Sequence, residues 1–435
     1  MKFLVISLVV LLAACAGEPA RSSAAKGGAP AVAQPPDPVQ PAPTTATAQP
    51  QAPARQAAPE AGFRDWVDGF RRQAKVSGIS EATLRATLDE AQIVERVLEL
   101  DRSQPEFTRS IWDYLDTAVS DTRVSTGRDR LLSHQDTARD VEARFGVRKE
   151  IITAIWGVES NYGSHYGSYK TIDALATLGY DGRRDDFARR ELLAALNIIE
   201  AGDIAADRMI GSWAGAMGHT QFLPSSFVAY AVDGDGDGKR DIWGSIPDVM
   251  ASTANYLARA RWQRDEPWGV EVRLPPDFDY AQAELDTRKP VAQWRSLGVR
   301  TVQGNPLPQL SAASIITPAG ARGPAFLVGQ NFRSIMRYNN STSYALAVAH
   351  LADRIEGQGA FVQGWPRGEA ALSRTQIKAM QARLNELGYG AGAPDGLVGP
   401  NTRSALRAYQ SDQGLTADGF PTQSLYRRLL PAAQG

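Results

Sequence analysis

Apolar side chains at Ile151, Ile152, Ile155 and Val158 recur at helical spacing and predict a helix across 151–163. Glu159 follows Ile151 by eight residues and Ile155 by four, so its carboxyl projects from the apolar stripe. Upstream, Phe63, Trp66, Val67 and Phe70 form one stripe, and Phe107, Ile111, Trp112, Tyr114 and Leu115 a second. Short helices are expected near Ser80 and over Leu98–Asp101, joined by polar turns. Downstream, Met250, Ala254 and Leu257 mark another helix, and Tyr344–Ile355 one more. Val270–Leu274, Ala312–Ile316 and Ala325–Val328 read as short strands, the last two forming a hairpin around Gly320–Gly323. Beyond Gly364–Glu369, Ile377, Met380, Leu384 and Leu387 give an amphipathic helix stopped at Gly388, and Ala405–Gln410 and Leu425–Leu430 two more. The predicted fold is mainly α with a small mixed α/β subdomain, followed by a separate three-helix module over 371–431.

Composition adjusts this picture at the amino terminus. The 435 residues are 43% hydrophobic and 22% charged, as expected of a globular chain with two or more domains. A net charge of −1 and the lack of a basic patch interleaved with aromatics argue against nucleic acid as a partner. Met1-Lys2 and the apolar run Phe3–Leu12 form a secretory segment too short to span a bilayer. It ends in Leu12-Ala13-Ala14-Cys15, the pattern of a bacterial lipoprotein signal over 1–15 in which Cys15 is lipidated. Cys15 is the one cysteine, so no intramolecular disulfide can form. Residues 16–60 hold ten of the 26 prolines and almost no bulky apolar side chains, which predicts a disordered tether. Ala16 is not the Asp that retains lipoproteins on the inner membrane, so in a Gram-negative cell the expected address is the periplasmic face of the outer membrane, through a lipid anchor.

A carboxyl on an apolar stripe must find a partner or hold its proton. Periodicity alone leaves open whether Glu159 is a structural strut or a general acid. Val158-Glu-Ser-Asn-Tyr-Gly163 and Gly211-Ser-Trp-Ala-Gly-Ala-Met-Gly-His-Thr-Gln-Phe-Leu-Pro-Ser-Ser226 decide between them. From about Phe63 to about Gly364 the chain resembles the lytic murein transglycosylases, specifically the membrane-bound type B family with a lysozyme-like domain, which sets the expected catalytic domain at 61–364. The resemblance implies Glu159 as the catalytic residue and a cleft lined by Ser160, Tyr162, Arg184, Ser212, Met217, Gln221, Tyr256, Tyr338 and Tyr344. Arg183 and Arg184 stand where that family contacts the acidic peptide of the wall, and Tyr338 and Tyr344 belong to its Tyr-Asn-x-Ser-Thr-x-Tyr pattern. The doubled turn Asp395-Gly396 and Asp418-Gly419 resembles a peptidoglycan-binding module, with an imperfect repeat.

A second candidate site is Asp233-Gly-Asp-Gly-Asp-Gly-Lys-Arg-Asp241. Asp233, Asp235, Asp237 and Gly238 fit positions one, three, five and six of a calcium loop, with the Lys239 carbonyl at seven and Asp241 at nine. Gly244 occupies the position of the bidentate Glu, and the resemblance implies that Asp248 completes the shell. A plain Asp-Gly turn is the alternative; a bound Ca2+ would stiffen the fold, and no cofactor is required for the chemistry.

Glycosidases generally use two carboxyls. Near Glu159 none is comparably set, with Asp173, Asp185 and Asp186 in or beside turns. The resemblance implies a single-acid, non-hydrolytic cleavage between N-acetylmuramic acid and N-acetylglucosamine that leaves a 1,6-anhydromuramyl end. A lysozyme-type muramidase and an inactive wall-binding scaffold are the alternatives. Expected partners are glycan strands and stem peptides, with cell-wall synthesis or division proteins as further candidates.

Overall fold

A computed structural model describes residues 59–103 and 109–431. The secretory segment, Cys15 and all but the last two residues of the proposed tether lie outside the described residues. Pro59 already opens the first helix, Pro59–Val76, so the boundary expected at 60 moves back by about two residues.

The chain divides into two compact units. The first comprises the described residues up to Ser103, Glu159–Tyr256 and Asn339–Ser341. Phe63, Val67 and Phe70 are buried along Pro59–Val76, as the stripe requires. Phe63 meets Tyr180 edge-on with centroids 5.7 Å apart, and Trp66 stacks on Phe70. Gly179 makes this packing achievable, because a Cβ there would lie 2.3 Å from Trp66. Ser80 caps Glu81–Leu88 by accepting the Thr83 N–H, and Glu200 accepts both the backbone N–H and the hydroxyl of Ser80. Val97, Ala174, Leu178 and Ala188 join helices Glu95–Ser103, Thr171–Asp181 and Asp185–Glu200 into one core. A short antiparallel ladder, β1 (Tyr169–Lys170) with β2 (Ile210–Gly211), was absent from the sequence expectation.

The second unit comprises described residues of Gln104–Val158, Leu257–Tyr338 and the chain from Thr342 on. Its helix Thr342–Glu356 packs against Ile111–Ala118, Asp121–Ser133 and Gln330–Tyr338. The expected strands are present as β3 (Gly269–Arg273), β5 (Ser314–Ile316) and β6 (Ala325–Val328), with a fourth, β4 (Arg300–Thr301), that the pattern did not predict. The sheet is antiparallel in the order β4-β3-β6-β5, and Ile315 faces Leu327 across the expected hairpin. Val272, Trp294, Ile315 and Leu327 form its core, and the Trp294 indole donates to the Ala313 carbonyl at 2.9 Å. All of β6 is buried, which explains its uninterrupted apolar sequence. Trp112 of the second stripe is buried and packs near Trp365.

The carboxyl-terminal module has the three expected helices, Arg374–Glu386, Pro400–Asp412 and Gln423–Leu429. Ile377, Met380, Leu384, Leu406, Tyr409, Leu425 and Leu429 make a core of its own.

Candidate active site

The helix Lys149–Ser160 ends one residue after Glu159. Ile151, Ile152 and Ile155 are buried, and Glu159 itself is 9% exposed. What stops the helix is backbone geometry. Asn161 and Tyr162 have φ of 48° and 58°, and Gly163 has φ of 82°. Two successive non-glycine residues in the left-handed region cost of order 1–2 kcal/mol each and persist only where surroundings impose them. The surroundings are the loop 211–223. Ser160 Oγ donates to the His219 carbonyl at 2.8 Å and accepts the Gly163 N–H at 3.1 Å. The His219 ring lies against Gly163 on one side and 5.3 Å from the Tyr166 ring on the other.

The loop is itself cross-braced. Ser212 N donates to the Ala216 carbonyl at 2.7 Å, and Ala216 N returns to Ser212 Oγ at 3.1 Å. Met217 bridges Gly211 and Phe222 through its backbone, and His219 N donates to the Ile242 carbonyl. Gln221, with φ of 51°, donates from Nε2 to the carbonyls of Tyr166 and Gly218. Its Oε1 is buried and accepts no hydrogen bond from the described residues. Small residues are required where backbones close: a Cβ on Gly167 would lie 1.9 Å from the Gly211 carbonyl oxygen.

Three other carboxylates of this unit have partners within the fold. Glu191 is buried and accepts the Ser225 N–H and hydroxyl, capping Pro224–Tyr230. Asp185 holds Arg189, and Asp173 accepts the Gln92 N–H from the first turn of Thr171–Asp181. Asp173 is therefore helical, not a turn residue, and burial raises its carboxyl above the ordinary range.

Several expected binding residues are buried or paired within the fold. Arg184 lies 3.2 Å from buried Asp101, which Arg183 also grips, and burial lowers the Arg184 guanidinium below its ordinary value. Its charge is engaged within the fold. Met217 is fully buried, so its side chain supports the loop and offers no surface to a sugar. Tyr344 is 1% exposed within Thr342–Glu356, so it cannot present a ring face for stacking. Tyr338 closes Gln330–Tyr338 in the second unit and keeps part of its surface. Ser160, Tyr162, Ser212 and Tyr256 are buried, the last with its ring 4.5 Å from Tyr230 and 5.7 Å from Phe222. The packing of Tyr166 on His219 and the left-handed backbone of Asn161 and Tyr162 were missed. Asn is enriched at positive φ and carried a weak signal at Asn161, whereas Tyr162 carried none.

In the acidic loop, carboxylate oxygens of Asp233, Asp235 and Asp248 lie within 4.8 Å of one another. Asp248 is fully buried and accepts the N–H groups of Gly234 and Asp241 at 2.7 and 2.6 Å, and burial raises its carboxyl above the ordinary range. Asp237 and Asp241 fall outside this cluster. They accept backbone N–H groups, from Lys239 and from Trp243 and Gly244 respectively, as Asp233 does from Gly236 and Gly238. The converging all-oxygen set suits a hard cation such as Ca2+.

A buried acid at a strained helix end, braced by a glycine-rich loop in a mainly helical unit, defines an enzyme of the lysozyme-like class. Residues 62–353 match the family model "Transglycosylase SLT domain", and 373–429 match "Putative peptidoglycan binding domain". The chain belongs to the transglycosylase SLT family and is a lytic transglycosylase with a carboxyl-terminal peptidoglycan-binding domain. Among similar proteins, membrane-bound lytic murein transglycosylase B of Escherichia coli (strain K12) is 30% identical over 294 residues, 64% of this chain and 79% of that protein. SltB3 from Pseudomonas aeruginosa, solved with NAG-anhNAM-pentapeptide, is 52% identical with a TM-score of 0.82, covering 84% of this chain and 99% of that one. Escherichia coli Slt35 in complex with calcium is 29% identical with a TM-score of 0.56, over 68% and 92%.

Proposed function

We propose that Glu159 carries the reaction alone, as acid and then as base, in a non-hydrolytic cleavage of the bond between N-acetylmuramic acid and N-acetylglucosamine. Glu159 donates its proton to the bridging oxygen as the C1–O bond breaks. The N-acetyl carbonyl oxygen of the muramyl residue supports the electron-poor C1. The Glu159 carboxylate then removes the proton from the muramyl 6-hydroxyl, whose oxygen bonds to C1. No water is consumed, and the acid is regenerated. The observation that carries this reading is the burial of Glu159 at the carbonyl end of its helix, a place that disfavours a bare negative charge. The engagement of Asp173, Asp185 and Glu191 elsewhere supports a single acid.

Ser160 is a positioning residue through its bond to the His219 carbonyl, and Gln221 is the proposed substrate contact through its unsatisfied acceptor. Tyr162, Ser212 and Tyr256 frame the same loop. Asp233, Asp235 and Asp248 would hold a structural Ca2+, a reading supported by the calcium complex of Slt35. Lipid anchoring at Cys15 on the periplasmic face of the outer membrane is supported by the lipoprotein pattern and by the words "membrane-bound" in the name of the Escherichia coli relative. No helix among the described residues is long and apolar enough to cross a membrane.

Glu159→Gln tests the chemistry. Lysis of purified sacculi should fall by about 10²–10⁴-fold, the usual contribution of general acid–base catalysis, while binding to sacculi is retained. Mass spectrometry of parent digests should find anhydromuramyl ends; reducing ends, heavier by one water, would establish a muramidase, and undiminished lysis would remove Glu159 from the chemistry.

A further inference from the structure

The carboxyl-terminal module carries one bonding arrangement twice. In the first copy, the Gln381 amide donates to Asp395 Oδ1 at 3.0 Å and accepts the Gly396 N–H at 2.8 Å. In the second, the Gln410 amide donates to Asp418 Oδ1 at 2.7 Å and accepts the Gly419 N–H at 2.8 Å. Both glycines have positive φ, 80° and 70°, and each packs on the carbonyl of an arginine seven residues before the glutamine, Arg374 or Arg403. A second cation follows each arginine by one helical turn, Lys378 in the first copy and Arg407 in the second. The repeat that looked imperfect in sequence is therefore closely kept in its hydrogen bonds.

The two copies differ in what they hold. The second grips Glu284 of the sheet subdomain, with Arg403 Nη2 at 3.0 Å and Arg407 Nη1 at 2.9 Å from its carboxylate oxygens. The remaining oxygen of its turn aspartate, Asp418 Oδ2, accepts the Ala321 N–H at 2.9 Å. Chemically, this copy binds one carboxylate on two cations and one peptide N–H on an aspartate oxygen. In the first copy Arg374, Lys378 and Asp395 are exposed. Among the described residues no carboxylate pairs with either cation, and Asp395 Oδ2 accepts no hydrogen bond.

We propose that Arg374, Lys378 and Asp395 form the ligand site of the module and bind a peptide that presents a carboxylate beside a backbone N–H, with Glu284 and Ala321 showing the same chemistry satisfied within the chain. A stem peptide of the wall has both groups, so the inference rests on the wall-binding reading and names the part of the wall that is read. A guanidinium suits bidentate carboxylate recognition and the ammonium adds a second, rotatable donor set.

The test uses the full chain carrying Glu159→Gln, so that the wall is not digested during binding. Two probes are compared: purified sacculi with peptides intact, and glycan strands stripped of peptides by an amidase. The parent should prefer intact sacculi. Arg374→Ala/Lys378→Ala should bind them about tenfold more weakly, the loss expected for charge-assisted hydrogen bonds, with binding to stripped strands unchanged. Lys378→Glu, a change at an exposed helical position, should act in the same direction with an unchanged melting temperature. Equal binding by parent and variants, equal loss on both probes, or no parental preference for intact sacculi would overturn the proposal. Lysis by the Glu159-containing chain is read separately, so failure of this site and failure of the catalytic reading are distinguished.

Discussion

Gly163→Ala tests whether the end of the catalytic helix is held in place by the loop that faces it. Gly163 has φ of 82°, and a Cβ there would lie 2.3 Å from His219 Cε1 and 2.6 Å from Nε2. The left-handed backbone alone costs about 1–2 kcal/mol for alanine. Forcing the imidazole aside in a packed site adds about 1–3 kcal/mol, because the Tyr166 ring borders His219. The sum, about 2–5 kcal/mol, corresponds to a fall in melting temperature of roughly 5–15 °C for a unit of this size. Gly202→Ala is the control: its φ is 82°, but no heavy atom lies within 4 Å of the added carbon, so only the backbone cost applies. Thermal unfolding and kcat/KM on sacculi would be measured for both. Because Ser160, next to Glu159, is bonded to the His219 carbonyl, kcat/KM should fall more in Gly163→Ala. Indistinguishable melting temperatures and kcat/KM for the two variants would refute the idea that His219 and Gly163 lock the helix end.

Two further outcomes concern ionisation and metal. In Thr342–Glu356, burial raises Asp353 to about 6 and lowers His350 to about 4. For Asp353 the folded value exceeds the unfolded one, so its contribution is fully present at low pH and is lost as pH rises from about 4 to about 6, by at most about 3 kcal/mol. For His350 the folded value is depressed, so stability is lost as pH falls from about 6.5 towards about 4. The slopes oppose one another. Asp353→Asn should expose an acid-side loss, and His350→Gln an alkaline-side loss, in denaturant unfolding across that range; parallel profiles in both variants would contradict the assignment. Calcium at about 100 times its dissociation constant should stabilise the parent by about 2.7 kcal/mol and leave Asp248→Asn unmoved, as read by thermal melting with and without a chelator. An equal response of the two proteins would remove Asp248 from the site.

Local periodicity was sufficient for the main elements. The Ile151–Val158 stripe located the helix that carries Glu159, the alternation of β3 and the short apolar runs of β5 and β6 located three strands, and the module's helices followed from Ile377, Leu406 and Leu425. Two-residue strands were not legible: β1, β2 and β4 exist only because a partner supplies their hydrogen bonds. The motif named Met217, Tyr344 and Arg184 as binding residues, but burial of the first two and the Asp101 pairing of the third depend on neighbours distant in the chain.

What the sequence determined by itself was residue chemistry at fixed spacing: an acid on an apolar stripe, a string of aspartates and glycines, and two Asp-Gly turns. Which aspartates converge, which arginines are already paired and which module copy is occupied were decided only in three dimensions. The physical reason is that a side chain's type is local, whereas its solvent exposure and its partners are set by segments that meet only after folding.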